Sequence, residues 1–298
     1  MNSFDLAATV LLLTPTRPGE IPAAQARAAH AFFLRLIADA DPTLAAHLHK
    51  TEQVKPFTCS NLYKEADKEP KNKRQASAPY TARNSSLPTH NFQRISCTPD
   101  ETWFLRYTTF STDLTVLWLE RVLPHLPDEI ILGDLPFRIH DALITTEAHP
   151  WAGCTTYADL GAPYLLAQSP PFTRWSFSFA SPIAFRSGGM TIPMPLPDLL
   201  FGSLLDRWNA WAPVALNPEV RRFVQECVAL SNYRLRTRAL PGKEGTVQRG
   251  AVGRCDYAAL NHDRYWCSML SVLATYAFYS GAGYQTTQGM GMCRWVIG

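Results

Sequence analysis

Several things are missing from this chain, and each absence closes off a class of protein. No run of eighteen apolar residues occurs, so no membrane-spanning helix is indicated. The apolar stretch Leu6 to Leu13 has no Lys or Arg before it and no small-residue cleavage site after it. It therefore reads as a first β-strand and not as a secretion signal. Cysteines number seven, an odd count with no C-x-x-C pair, which fits thiols kept reduced in a cytoplasmic protein better than a disulfide framework or a zinc site. A GK[ST] phosphate loop is absent, and no carboxylate or Cys/His cluster marks a metal centre. Charge is sparse: 18% of the 298 residues are charged and the net charge is +3, too mild to identify a partner.

What is present is an ordinary globular composition, 46% hydrophobic, with 23 prolines and 16 glycines. Such punctuation favours many short elements and disfavours a helical solenoid. The length suits two domains of about 150 residues. After the first strand, residues 23–40 carry Phe32, Phe33, Leu36 and Ile37 on one helical face. Asp41-Pro42 stops or restarts that helix, residues 43–50 add a short helical piece, and KPFTCSNL (55–62) is extended. From Lys64 to Pro88 runs a charged, proline-bearing stretch expected to be a mobile loop or a long hairpin tip, in which KEADKEPKNKR is solvated or, in an RNA-processing protein, a support for an RNA stem. Two aromatic strands, a helix at 113–126 and further strands to Trp151 follow.

The order β, α, β, β, α, β predicts a ferredoxin-like domain over residues 1–150, the fold shared with RNA-recognition modules. Residues 151–170, rich in Ala, Gly, Pro and Tyr, are expected to form a linker. Residues 171–298 read as an elaborated second copy, so the fold class is α+β with two tandem ferredoxin-like, RRM-like domains and a C-terminal glycine-rich loop.

Basic charge concentrates in this second half. Between Arg221 and Arg254 eight basic residues face two acidic ones. In YRLRTR, Arg234, Arg236 and Arg238 alternate, so on a strand they share one face and can follow a phosphate backbone, as Arg249 could nearby. A merely solvated sheet face is the competing reading. The tail GAGYQTTQGMGMCRW (281–295) sets Gly281, Gly283, Gly289 and Gly291 around Gln285, Thr286, Thr287 and Gln288. Glycine lets a backbone approach a ligand and present N–H groups to phosphate, with the Gln and Thr side chains adding hydrogen bonds. Gly281 alone is equally explained as a helix cap.

The tail pattern G-x-G-x-x-T-x-x-G-x-G, with LAAHLHK…KPFTCSNL after the first helix, FASPIAFR opening the second half, PLPDLLFGSLLDRWN and QRGAVGRCDY, resembles the CRISPR-associated repeat-processing endoribonucleases of the sixth Cas family. These belong to the repeat-associated RNA-binding superfamily. The resemblance implies cleavage of precursor CRISPR RNA within its repeats by the substrate's own 2′-hydroxyl, with no metal and no cofactor. The products are a 2′,3′-cyclic phosphate and a 5′-hydroxyl. Repeat RNA, precursor and mature, would be the partner, together with other Cas subunits of an effector complex.

By the same resemblance His49, six residues before K-x-F-T, is the general acid or base, and Lys55 stabilises charge on the phosphorane. Imidazole, with a pKa near 6.5, suits either proton transfer. His47 lies two residues away and only one of the pair need act. Some relatives place a catalytic tyrosine on helix one where this chain has Leu34, and His30, on the same helical face, either supplies the missing proton-transfer group or packs in the core. His90, His125, His140, His149 and His262 receive no role, and Trp211, Trp266 and Trp295 read as core or rim aromatics. The alternative is a catalytically inactive relative that only holds guide RNA; retention of His49 and Lys55 speaks for the enzyme.

Overall fold

The computed structural model describes residues 4–50, 54–65, 94–241 and 246–297, with the backbone but not the side chains of residues 49 and 50. Most of the charged run expected to be a mobile loop or a long hairpin tip, and Lys243 of the basic strip, lie outside the described residues. In chain order the elements are β1 (Leu6–Pro15), β2 (Gly19–Pro22), α1 (Ala26–Ala40), α2 (Pro42–Lys50), β3 (Phe57–Cys59), β4 (Tyr63–Lys64), β5 (Arg94–Cys97), β6 (Trp103–Thr109), α3 (Thr112–Leu117), β7 (Glu129–Leu132) and β8 (Leu135–Leu143). Then follow β9 (Gly153–Thr155), α4 (Tyr157–Leu165), β10 (Arg174–Ile183), β11 (Phe185–Ser187), β12 (Met190–Ile192), α5 (Pro197–Trp211), α6 (Val220–Cys227), β13 (Val228–Pro241), β14 (Val247–Ala259), α7 (Arg264–Ser280) and β15 (Cys293–Trp295).

In the first half the sheet order is β3-β6-β1-β8-β7, and in the second β13-β14-β10-β15. Each has the first and third core strands in the centre and the second and fourth outside them, the ferredoxin-like arrangement, so the α+β, two-domain expectation holds. β1 pairs antiparallel with β6 through Leu11–Leu105 and with β8 through Leu11–Ala142, and its flanking leucines, Leu11 and Leu13, are fully buried.

Local chemistry explains the elements that set the site. Helix α1 buries Ala26, Ala29, Phe32, Phe33, Leu36 and Ile37 at helical spacing. Phe33 lies 4.6 Å from the Phe57 ring of β3 and 4.9 Å from Trp118, so α1 is pinned on the sheet directly over the β3 strand. At Asp41 the backbone turns extended, and its Oδ1 accepts from Thr43 N–H at 3.0 Å and Leu44 N–H at 2.9 Å. That carboxylate caps α2 while Pro42 occupies its first turn, so Asp41-Pro42 ends one helix and starts the next. In the second half Trp175, Phe177 and Phe179 alternate inward beneath α5 and α7.

Residues 151–170 differ from the expected linker. β9 adds to the edge of β1, pairing Leu6 with Thr155, and α4 inserts Tyr157 and Leu160 into the core of the second half. The segment has no visible period because α4 is short, contains Pro163 and buries few residues. The helix read over 113–126 also departs from regularity: α3 passes into a π turn over Trp118–Val122 and a 3-10 turn over Leu123–His125.

The two halves meet across the face of the first sheet that the helices leave bare. Val10 and Phe104 there pack with Trp151, Ala152 and Met292. Arg106 of β6, 2% exposed, donates from Nε to Trp151 O at 2.8 Å and from a terminal nitrogen to Phe278 O of α7 at 2.5 Å. Its guanidinium also lies 4.6 Å over the Phe278 ring and 5.5 Å over Trp151. The sheet face on which an RNA-recognition module would stack bases is therefore filled in this half. All seven cysteines are free, five of them buried.

Candidate functional site

The tail between α7 and β15 is the hub of the molecule. Gly281, Gly283, Gly289 and Gly291 all have φ between +61° and +85°, a region that side chains disfavour. Space excludes a side chain too: a Cβ on Gly291 would sit 2.1 Å from Ala282 O, and one on Gly289 2.5 Å from Asn61 Nδ2. The expectation that these glycines bring backbone to a ligand is corrected here. Gly281, Gly289 and Gly291 are buried, and the backbone N–H groups of Gly281, Gly289 and Gly291 donate to Ala277 O, Cys59 O and Pro182 O. Gly283 N–H donates to Ser203 Oγ at 2.9 Å. The glycines shape the turn; what they leave uncommitted among the described residues is the N–H set of Gln285, Thr286 and Thr287, the orphan donors of a 3-10 turn over Thr286–Gln288.

Beneath this turn lies Arg207 of α5, a residue within PLPDLLFGSLLDRWN to which the sequence reading assigns no role of its own. It is 7% exposed and donates to Gly283 O at 2.6 Å, Thr286 Oγ1 at 3.2 Å and Ser280 O at 3.4 Å. Burial lowers its pKa. Thr286, offered as an RNA contact, is instead buried at 4% and spends its hydroxyl on this guanidinium. Gln285, itself left-handed at φ +56°, and Thr287 are partly exposed.

The first half reaches the tail through α1 and β3. Asn61 Oδ1 accepts from Ala26 N–H at 3.0 Å, fixing the start of α1, and Asn61 Nδ2 points to Gly289 O at 3.5 Å. One turn further along α1, His30 Nδ1 lies 3.0 Å from Thr287 O. A carbonyl only accepts, so Nδ1 carries the hydrogen and the neutral ring holds its lone pair on Nε2. The packed-core reading of His30 is thus incomplete: its ring is half-buried, 5.5 Å from Phe57, and engaged with the tail.

The remaining first-half candidates surround the α2–β3 connection. His47 is exposed on α2, Leu48 beside it is buried, and the side chain of His49 lies outside the described residues. Lys55 Nζ donates to Leu48 O at 2.5 Å, which ties β3's approach to the end of α2, and burial lowers its pKa from the ordinary lysine value. Val54 O accepts from Trp211 Nε1 of α5 at 2.8 Å, so the second half also holds this connection. Leu34 packs against the first-half core.

Arginines of the β13–β14 hairpin divide by parity. Register pairs Arg234 with Arg254, Arg236 with Val252 and Arg238 with Gly250, placing the three alternating arginines on one face. Arg249 pairs with Ala239 and so points to the other face, a separation that the sequence does not reveal. The row continues across the sheet: Arg254 opposes Ser178, which opposes Arg294. Arg254 is ion-paired with Asp256 at 3.1 Å, and Arg294 lies 4.6 Å over the Trp151 ring. Arg234 and Arg236 are exposed. Among the described residues no three His, Cys, Asp or Glu gather as metal ligands, and no helix is long and apolar enough to cross a membrane.

Comparison with known proteins follows this geometry. The description "CRISPR Cas6 N-terminal domain" matches residues 7–162, and "CRISPR-associated endoribonuclease Cas6" matches residues 177–293. The chain is similar to Cas6 (TTHB231) of Thermus thermophilus in a product complex, with 28% identity, a TM-score of 0.74, and 98% of this chain and 100% of that one covered. It is similar to Cas6 (TTHA0078) in a product complex, with 27% identity, a TM-score of 0.71 and coverage of 98% and 99%. A Cas6-related protein of Pyrococcus furiosus, 13% identical with a TM-score of 0.58 and 98% of both chains covered, shares the fold. A search of curated proteins returns no match. The two matched regions take in nearly the whole chain, which belongs to the CRISPR-associated endoribonuclease Cas6 family.

Proposed function

We propose that the chain cuts precursor CRISPR RNA within its repeats by metal-independent transesterification. The 2′-oxygen attacks the adjacent phosphorus, the bond from phosphorus to the 5′-oxygen breaks, and the products are a 2′,3′-cyclic phosphate and a 5′-hydroxyl. His30 takes the 2′-hydroxyl proton, His49 protonates the departing 5′-oxygen, and the Lys55 ammonium offsets charge on the phosphorane. Because the nucleophile belongs to the RNA, the protein has only to orient, exchange protons and balance charge.

The observation that carries this reading is the hydrogen bond from His30 Nδ1 to Thr287 O. It joins an imidazole of the first half to the tail turn and leaves the basic nitrogen on the other side of the ring. Uncommitted N–H groups at residues 285–287 and the exposed Arg234 and Arg236 provide for the phosphate backbone. That TTHA0078 has been solved in a substrate mimic complex, and as a histidine-to-alanine mutant, agrees with a histidine-dependent reaction on RNA. Association with other Cas subunits and a cytoplasmic setting belong to the same proposal.

The test is incubation with labelled repeat RNA in EDTA, comparing wild type with His49→Ala and Lys55→Ala. Cleavage persists in EDTA and falls by roughly 10²–10⁴-fold in each variant, the usual range for one proton-transfer or charge-stabilising group. Abolition by EDTA removes the mechanism, and indifference to both substitutions removes the site.

A further inference from the structure

Next to the connection that leads to Lys55 lies a cavity of about 280 Å³. Small-ligand pockets begin at roughly 300 Å³, so the space suits one compact ring system and not a length of strand. Its walls come from Val54, immediately before Lys55; from Tyr284 of the tail; and from α5, α6 and β11, which contribute Asp198, Arg221 and Arg186. The indole of Trp211 ties Val54 to α5, so the cavity and the Lys55 connection form one unit.

Two features of the wall select a ligand. The Arg186 guanidinium lies 4.5 Å over the Tyr284 ring and donates to its hydroxyl at 3.1 Å, making a flat cationic and aromatic surface of the kind on which unstacked bases lie. Arg221 also lines the cavity but is ion-paired with Asp206. Asp198, half-buried, forms no ion pair among the described residues. A carboxylate without an ion pair is left to accept from N–H groups of a ligand. Among the four bases, guanine alone offers two adjacent donors, N1–H and the 2-amino group, to match two carboxylate oxygens.

We propose that this cavity receives an unstacked guanine of the repeat RNA, from a nucleotide at or beside the scissile phosphate. The ring rests against the Arg186–Tyr284 pair, and N1–H and the 2-amino group donate to Asp198. Val54 and Lys55 are consecutive, with Cα atoms about 3.8 Å apart, so the connection that carries Lys55 also forms a wall of the cavity. This rests on the reading of the chain as a repeat-cutting enzyme and adds a specificity-determining contact to it.

The experiment replaces each guanine of the protein's own repeat in turn by inosine, which lacks only the 2-amino group, and measures equilibrium binding and cleavage separately. At one guanine at or beside the cut, inosine weakens wild-type binding about tenfold, as for a lost hydrogen bond to a charged group. In Asp198→Ala the same replacement has no further effect, and Asp198→Asn serves as the isosteric check on folding. A repeat with no guanine there, an inosine series without effect, or an inosine effect undiminished in Asp198→Ala overturns the proposal. An inosine effect on binding without any cutting supports the guanine contact while removing the nuclease reading.

Discussion

Replacing Arg106 by alanine measures how firmly the two halves are held in register. In the wild type its guanidinium closes hydrogen bonds to Trp151 O and Phe278 O and lies over both rings, all at 2% exposure. Truncation strands two buried carbonyls, each costing roughly 1–3 kcal/mol. It also removes cation–π attraction of about 0.5–2 kcal/mol. Against this, the mutant no longer desolvates a cation, whose burial in the wild type already pulls the Arg106 pKa down to about 9. With the stranded carbonyls and the lost cation–π contacts set against the relieved desolvation, a net loss of about 2–5 kcal/mol is expected. Urea unfolding at neutral pH reads this directly as a lower midpoint with the slope unchanged. Arg106→Lys, a single point charge that reaches one carbonyl, falls between alanine and wild type, and Arg106→Met separates stem packing from charge. An alanine variant within 1 kcal/mol of wild type refutes the reasoning, because the carbonyls would then have found other partners at no cost.

Three other outcomes follow from the site. His30→Ala slows cleavage by roughly 10²–10⁴-fold and leaves repeat binding near normal; equal loss of binding by filter or anisotropy assay would return His30 to a structural part. Lys55 has a pKa below that of an exposed lysine, so its ammonium is lost at a lower pH and the alkaline limb of the cleavage rate begins early. Lys55→Arg shifts that limb to higher pH, and an unchanged limb denies Lys55 the charge role. Gly291→Ala forces a Cβ to within 2.1 Å of Ala282 O at a positive φ, and thermal unfolding shows a loss of several degrees, while no loss would mean that the turn readily adopts another path.

The ferredoxin-like order was legible because strand alternation in RWSFSFASPI and helical spacing in α1 are local signals, set by which face is buried. Asp41-Pro42 also announced its break, since a cap and a first-turn proline act within four residues. Elements whose only support is tertiary stayed hidden. α4 exists because Tyr157 and Leu160 fill the core of the second half, and β9 because β1 offers an open edge. Arg106 looks like an error in the buried strand WFLRYTT until Trp151 and Phe278 are brought to it from distant segments.

The candidate site was legible in the same uneven way. Positive φ at the tail glycines could be expected from their type, but the destination of each N–H could not, and it is mostly inward. Arg207 and Asn61, which hold the turn from below and tie it to α1, lie inside PLPDLLFGSLLDRWN and KPFTCSNL, but nothing local in either segment marks those two side chains as the ones that reach the tail. Whether Arg249 sides with Arg234 depends on the register of β13 against β14, which alternation within either strand does not reveal.

The central claim is that the RNA attacks itself while the protein supplies only protons and charge. A repeat RNA whose ribose immediately upstream of the cut carries hydrogen in place of the 2′-hydroxyl tests it, in EDTA and beside the unmodified strand. The account predicts cutting of the unmodified strand and binding without cutting of the deoxy strand; cleavage of the deoxy strand would contradict it, because the nucleophile would have to come from elsewhere.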